Sequence, residues 1–287
     1  MGYSYKDKPA PFFKGNDQLV VVEQDGFVGL NVGYECSQWR YEAFSNYLFN
    51  WLIEFTTPFS DLQKFNPANG MEMIRRAAEV VYSTDEYKRR GEFGELMLHA
   101  ILRELFDTEP IANKLFFKSA VNDTVKGFDS VHARANEDGS LELWLGEAKF
   151  YSDITQAVNS VAYELSDHFQ KDKLREEFMC IGKIVDRNWE HAEKVLRLFS
   201  QNTSLDDVFK IVCVPVLLTY ESGVVQSSKA ISDQFLASLR EELVRNHNFF
   251  RSKAPSICVK VNLVLLPLDR KDQLIQTLDK KLKGFQG

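Results

Sequence analysis

The 287-residue sequence has only four cysteines, Cys36, Cys180, Cys213 and Cys258, and no CxxC pair among them. Neither a zinc site nor a disulfide framework is indicated, and reduced core thiols are the expectation. No run of about 18 or more apolar residues occurs, so nothing reads as a membrane-crossing helix. The opening Met1-Gly2-Tyr3-Ser4-Tyr5-Lys6-Asp7-Lys8 lacks the apolar stretch of a secretory signal, and a cytoplasmic location is expected. The phosphate loop GxxxxGK[ST] and the turn GxGxxG are both missing, which argues against nucleotide binding through those devices. There is no basic excess either: 35 Lys and Arg against 41 Asp and Glu leave a net charge of −6. Indiscriminate coating of nucleic acid depends on phosphate neutralisation, so any nucleic acid must be met locally. Repeats and low-complexity tracts are absent as well.

A hydrophobic content of 44% with 13% aromatics is ample for a core. Residues 18–33 read as two short strands around an Asp25-Gly26 turn. From Gln38 to Phe55, Trp39, Tyr41, Phe44, Tyr47, Leu48, Trp51 and Leu52 recur at helical steps and form a core stripe, with a partner interface as the lesser reading. Breakers at Pro58, Asn66, Pro67 and Gly70 mark a join. It divides an N-terminal extension of strands and aromatic-rich helix, residues 1–69, from a main domain, residues 70–287. Helices are expected over 70–82 and 86–106, a short strand or connector over 114–118, and a helix after an N-cap at Ser152-Asp153. A helix over 186–201, an apolar strand over 210–220, a helix over 229–248, a strand over 257–268 and a helix over 270–284 follow. The continuous apolar run over 210–220 suits an interior strand covered on both faces, and Pro215 weakens that reading in favour of a bulge or an edge. This alternation is that of an α/β layer.

The informative stretch is Lys126-Gly127-Phe128-Asp129, followed by Leu145-Gly146-Glu147-Ala148-Lys149-Phe150. Asn136-Glu137-Asp138-Gly139-Ser140 between them reads as a tight hairpin turn. Pairing Asn136 with Ser140 sets Asp129 opposite Glu147, with Cβ atoms roughly 4.5–5.5 Å apart. Alternation puts Lys149 on the same face, continuing the stripe of Leu141, Leu143 and Leu145. Opposed like charges at the end of an apolar stripe call for a cation, and a divalent metal supplies one economically. The bland reading is a solvated strand end with a turn aspartate.

Upstream, Arg90-Gly91-Glu92-Phe93-Gly94-Glu95 places Glu92 and Glu95 three apart on a helix. The two glycines either allow close approach to the hairpin or mark a helix start at which both glutamates complement the dipole. Glu95 is the candidate auxiliary metal ligand of the two. His132 has the opposite parity to Asp129 and points away, while His99 and His168 sit on helices without a histidine partner at metal-ligand spacing. Lys88, Arg89, Arg90, Lys114, Lys118 and Lys126 form a basic cluster suited to phosphate or simply to water.

Taken together, a helix bearing Glu95, a strand bearing Asp129 and a strand bearing Glu147-Ala148-Lys149 resemble the PD-(D/E)XK nuclease core. More narrowly, Arg90–Glu95, Lys126–His132 and Gly146–Phe150 resemble the HamA family, the nuclease component of the Hachiman antiphage defence system. The resemblance spans about residues 86 to 170. Two departures are Phe128 in place of the superfamily's proline and a Gln156–Tyr163 spacing unlike that of RecB-type relatives. The resemblance implies a mixed sheet flanked by helices and a metal-dependent DNase working beside a HamB-like helicase that restrains it. It also implies that Asp129 and Glu147, with Glu95 and the Ala148 carbonyl, hold Mg²⁺ or Mn²⁺ while Lys149 positions the nucleophile or stabilises the transition state. The alternatives are a catalytically inactive nuclease-like module regulating a helicase, and an RNase.

Overall fold

A computed structural model describes residues 3–82, 91–113 and 127–286. In chain order its elements are β1 (Val20–Gln24), β2 (Phe27–Leu30), β3 (Tyr34–Glu35), β4 (Gln38–Trp39), α1 (Tyr41–Asn50), α2 (Leu52–Thr56), α3 (Phe59–Leu62), α4 (Gly70–Tyr82), α5 (Gly91–Leu105), β5 (Glu109–Asn113), β6 (Ser130–Ala135) and β7 (Leu141–Phe150). There follow α6 (Ile154–His168), α7 (Lys171–Ile184), α8 (Ala192–Leu198), α9 (Leu205–Phe209), β8 (Val212–Glu221), α10 (Gly223–Gln226), α11 (Asp233–Lys253), β9 (Lys260–Leu268) and α12 (Lys271–Gln286).

Seven strands form one mixed sheet in the order β1-β2-β9-β8-β7-β6-β5. β2, β9, β8 and β7 pair in parallel, while β1 and the β6–β5 pair are antiparallel additions at the two edges. This is the mixed α/β sheet flanked by helices that the sequence led us to expect. The strands around Asp25-Gly26 form as read, with Gly26 at φ +73° closing their turn. Although they lie within the expected N-terminal extension, they build one edge of the main sheet. The aromatic stripe is core: Trp39, Tyr41, Phe44, Tyr47, Leu48, Trp51 and Leu52 are all buried. Burying each such side chain is worth about 1.5–3 kcal/mol. The helix breaks at Trp51 into α1 and α2.

Pro110 lies inside β5, an edge strand with a register shift between Pro110 and Ala112, where a missing N–H is tolerated. Helix formation is delayed from residue 186 to Ala192, because the Asp186 carboxylate accepts from the backbone N–H groups of Asn188 (3.0 Å) and Ser60 (2.5 Å) and so holds a turn. Helix α7 is an additional element between the two helices expected on either side of it. The short segment over 114–118 and residues 86–90 of the helix expected over 86–106 lie outside the described residues.

Pro215 sits in an interior strand, paired through β8 with both β7 and β9. The parallel register with β7 runs Trp144↔Cys213 and resumes at Glu147↔Val216, so the gap falls where Gly146 passes Pro215. A Cβ on Gly146 would lie 3.4 Å from the Pro215 ring, 2.9 Å from Leu98 and 2.4 Å from the Ser130 hydroxyl. A Cβ at position 146 is excluded by Ser130 and Leu98, while its distance to the proline ring is that of ordinary contact. Gly146, Ala148 and Phe150 form the even-numbered face of β7, on which α5 packs: a Cβ on Gly94 would stand 3.0 Å from the Phe150 Cβ. Close approach to the hairpin thus explains Gly94, while a Cβ on Gly91 would meet nothing within 4 Å.

On this α5 side lies a buried polar chain. Glu54 accepts from Arg103 Nε at 2.6 Å and contacts His99 Nε2 at 3.1 Å. His99 Nδ1 meets His132 Nε2 at 3.3 Å, and His132 Nδ1 meets the Thr108 hydroxyl at 2.8 Å. Burial alone would raise the Glu54 carboxyl, but His99 and Arg103 outweigh it and hold the group at about 2. Burial drives the His132 imidazole well below its ordinary 6.5, helped by repulsion from His99 and Arg103, and it lowers His99 despite the pull of Glu54.

Gly146→Ala should lower unfolding stability by about 1–3 kcal/mol in denaturant melts, because the added methyl meets Ser130 and Leu98 in a filled core. A histidine kept neutral in the folded chain but protonated in the unfolded one weakens the fold as pH falls below its ordinary value, by about 1.4 kcal/mol per pH unit. The melting temperature should therefore drop from pH 7 toward pH 5, and His132→Gln should flatten that dependence.

Candidate functional site

The hairpin has the register read from its turn: Ser130↔Gly146 through Ala135↔Leu141, closed by Asn136 N–H donating to the Ser140 carbonyl at 2.9 Å. One residue further, Asp129 N–H donates to the Gly146 carbonyl and its Oδ2 accepts from Ala148 N–H, both at 2.9 Å. These two bonds bracket Glu147 and hold the aspartate beside it. Asp129, Glu147 and Lys149 are all buried, Glu147 to 1% exposure. Leu141, Leu143 and Leu145 on the same face are buried, so the apolar stripe does end in a charged group inside the protein.

The odd-numbered face of β7 meets α6, which starts at Asp153, whose carboxylate accepts from Gln156 N–H at 2.8 Å. This cap is the one expected from Ser152-Asp153. Ala157, Val158, Val161 and Leu165 bury the inner side of the helix. Glu164 and His168 are four apart and so project together beside that stripe. Lys149 Nζ forms an ion pair with Glu164 and lies 3.5 Å from Glu147 Oε2. His168 Nε2 lies 3.1 Å from Glu147 Oε1, and its Nδ1 is paired with Glu177 on α7. The Phe128 ring stacks on the His168 imidazole at 4.7 Å and braces it.

Burial pushes the Glu147 carboxyl up, repulsion from Asp129 adds to it, and His168 and Lys149 pull back, leaving it at about 7. For His168 burial acts downward but is outweighed by Glu147 and Glu177, which raise it to about 10. Lys149 is also raised: Glu147, Asp129 and Glu164 overcome the effect of burial. Four carboxylates thus surround two cations. Glu147 Oε1 is buried and, despite its ionic contact with His168, has no aligned hydrogen-bond donor. An oxygen in that condition is suited to a cation.

The structure brings Asp129, Glu147, Ala148 and Lys149 together. Glu95 is buried on α5, which packs against the other face of β7. Ligand atoms all within 4.8 Å of one another occur in Glu147, Glu164 and His168, and elsewhere in Glu109, Glu190 and His191; Glu95 and Asp129 belong to neither group. Gln156 is exposed, and the basic residues Lys88, Arg89, Arg90, Lys114, Lys118 and Lys126 lie outside the described residues. Sequence reasoning passed over Glu164, His168 and Glu177. It sought a histidine partner for His168, whereas the partners are carboxylates; the four-residue spacing of Glu164 and His168 on one helix face was the available signal.

A mixed seven-stranded sheet between helical layers, with two acids and a lysine at the end of a hairpin strand, defines an α/β protein of nuclease-like architecture. The HamA family model matches residues 12–282, and the chain belongs to that family. It is also similar to anti-bacteriophage protein A of Escherichia coli (strain K12), at 24% identity over 164 residues. That match covers 56% of this chain and 29% of the relative, so the chain spans less than a third of the length of the curated protein it matches. No helix among the described residues is long and apolar enough to cross a membrane.

Folding raises the Glu147 pKa from its ordinary 4.5 to about 7, so this group's contribution is complete below pH 4.5 and is lost as pH rises through 7. In chelator, Glu147→Gln should therefore be at least as stable as wild type at pH 8, and the difference should shrink toward pH 5. A structural ion pair would respond oppositely, losing about 3–5 kcal/mol when one partner is removed. Thermal and urea melts at the two pH values distinguish these outcomes.

Proposed function

We propose that this chain is a metal-dependent DNA nuclease, hydrolysing phosphodiesters beside a HamB-like helicase partner in antiphage defence. Membership of the HamA family and the name of its bacterial relative support the defence role. The observation that carries the nuclease reading is the burial of Asp129 and Glu147 side by side, bracketed by the hairpin bonds, with Lys149 reaching Glu147 at 3.5 Å.

The donor set fits a divalent cation. Asp129 and Glu147 offer hard oxygens and repel one another, and Glu147 Oε1 is buried without an aligned donor. Asp129, Glu147 and the Ala148 carbonyl would hold Mg²⁺ or Mn²⁺, whereas Glu95, expected as an auxiliary ligand, sits on the helix that packs against the other face of β7. When bound, such an ion supplies an activated water and charge neutralisation at a scissile phosphate. The chain's own residues orient the groups: Ala148 N–H fixes the Asp129 carboxylate, and Lys149 places a positive charge where a phosphoryl oxygen gains charge. A net charge of −6 fits delegation of DNA capture to the partner.

One observation favours a second reading, an inactive nuclease-like module regulating the helicase: Glu147 is 1% exposed and already compensated by His168 and Lys149. The deciding experiment incubates the chain and its helicase partner with labelled DNA and RNA in Mg²⁺ and in Mn²⁺. Cleavage of DNA, reduced at least a hundredfold in Glu147→Ala and Lys149→Ala while partner binding persists, is the expected result. Full activity in either variant removes the site assignment. Complex formation without cleavage favours the regulatory module, and preferential cutting of RNA makes the chain an RNase.

A further inference from the structure

We propose that Glu164 and His168 join Glu147 in binding the metal, making a mixed imidazole–carboxylate centre that prefers first-row transition ions to Mg²⁺. The inference deepens the metal-dependent reading of this site and rests on it. The ligand atoms of Glu147, Glu164 and His168 lie within 4.8 Å of one another, the spread that one ion spans. His168 is oriented as metal-bound histidines are: its Nδ1 is anchored on the Glu177 carboxylate, which turns Nε2 toward Glu147. Phe128 stacks on the ring and fixes its plane, and Glu177 reaches it from a separate helix, α7. Glu164 and His168 come from adjacent turns of one helix, so their separation is set by a rigid element.

The donor types decide the ion. Mg²⁺ takes oxygen ligands in a near-ideal octahedron and keeps several waters, whereas imidazole favours transition ions. A divalent ion here would displace the Nε2 proton of the imidazolium to solvent, take over the charge balance that the imidazolium and Lys149 otherwise provide, and release Lys149 from Glu164. The lysine then becomes available to a substrate.

The test uses the purified full chain with Mn²⁺ and Mg²⁺ as probes, by isothermal titration calorimetry and pulsed electron paramagnetic resonance. Expected are Mn²⁺ binding at least tenfold tighter than Mg²⁺ and nitrogen hyperfine coupling from a directly bound imidazole. His168→Gln should abolish that coupling and, like Glu164→Gln, weaken Mn²⁺ at least tenfold; Glu177→Gln should weaken it about ten- to a hundredfold. Circular dichroism melts check folding, and the partly exposed Glu164 keeps the test usable if His168→Gln does not fold. Bound Mn²⁺ without nitrogen coupling, or binding unchanged in both variants but lost in Asp129→Asn, overturns the inference and leaves the nuclease reading standing. Absence of Mn²⁺ and Mg²⁺ binding in the wild type overturns both. Imidazole-bound Mn²⁺ in a protein that cuts neither DNA nor RNA supports the inference and removes the nuclease reading.

Discussion

Burying a carboxylate at the end of an apolar strand is unfavourable unless something nearby carries positive charge, and Glu147 sets that problem for the whole structure. Its 1% exposure removes water as the solvent for the charge, and Asp129 beside it makes matters worse. The surrounding architecture supplies the compensation from three directions. Lys149 comes from the same strand, His168 from the end of α6, and α7 presents Glu177 to hold His168 in place. The balance is incomplete, since Glu147 is held at about 7 rather than in the ordinary carboxylate range. A carboxylate held so far above its ordinary range marks a candidate functional centre.

The two faces of β7 resolve burial in different ways. On the odd face the charges remain near the end of the strand, next to the partly exposed Glu164. On the even face, α5 approaches so closely that a Cβ at position 94 would stand 3.0 Å from the Phe150 Cβ, and the histidines behind it are held neutral within a chain that ends on Glu54 and Arg103. That second network links Glu54, Arg103, His99, His132 and Thr108 in one buried chain. His99 and His132 therefore stiffen the scaffold, whereas His168, on the other face, is drawn into the acid cluster. Three histidines of similar standing in the sequence thus acquire different roles from the side of the sheet on which they fall.

Several local features were legible because they depend on near neighbours alone. The Asn136–Ser140 turn fixed the hairpin register, and alternation then fixed which side Asp129, Glu147 and Lys149 share. Asp153 capped its helix as a residue of that type does. Other features were illegible because the relevant partner is distant. Pro215 weakens the reading of its apolar run as an interior strand, although strands pair with it on both sides, and Asp186 delays a helix partly through a bond to Ser60. His168 looked isolated because its neighbours Glu147 and Glu177 lie on other elements.

By itself the sequence determined the alternation of strands and helices, the pairing of the hairpin and the placing of two acids and a lysine at one end of it, since each follows from chain connectivity and the period of the backbone. Only the tertiary structure decided which charges are desolvated and which side chains answer them. Desolvation is a property of the packed layers, and the groups that meet across those layers at Glu147 come from β7, α6 and α7, whose approach no local pattern encodes.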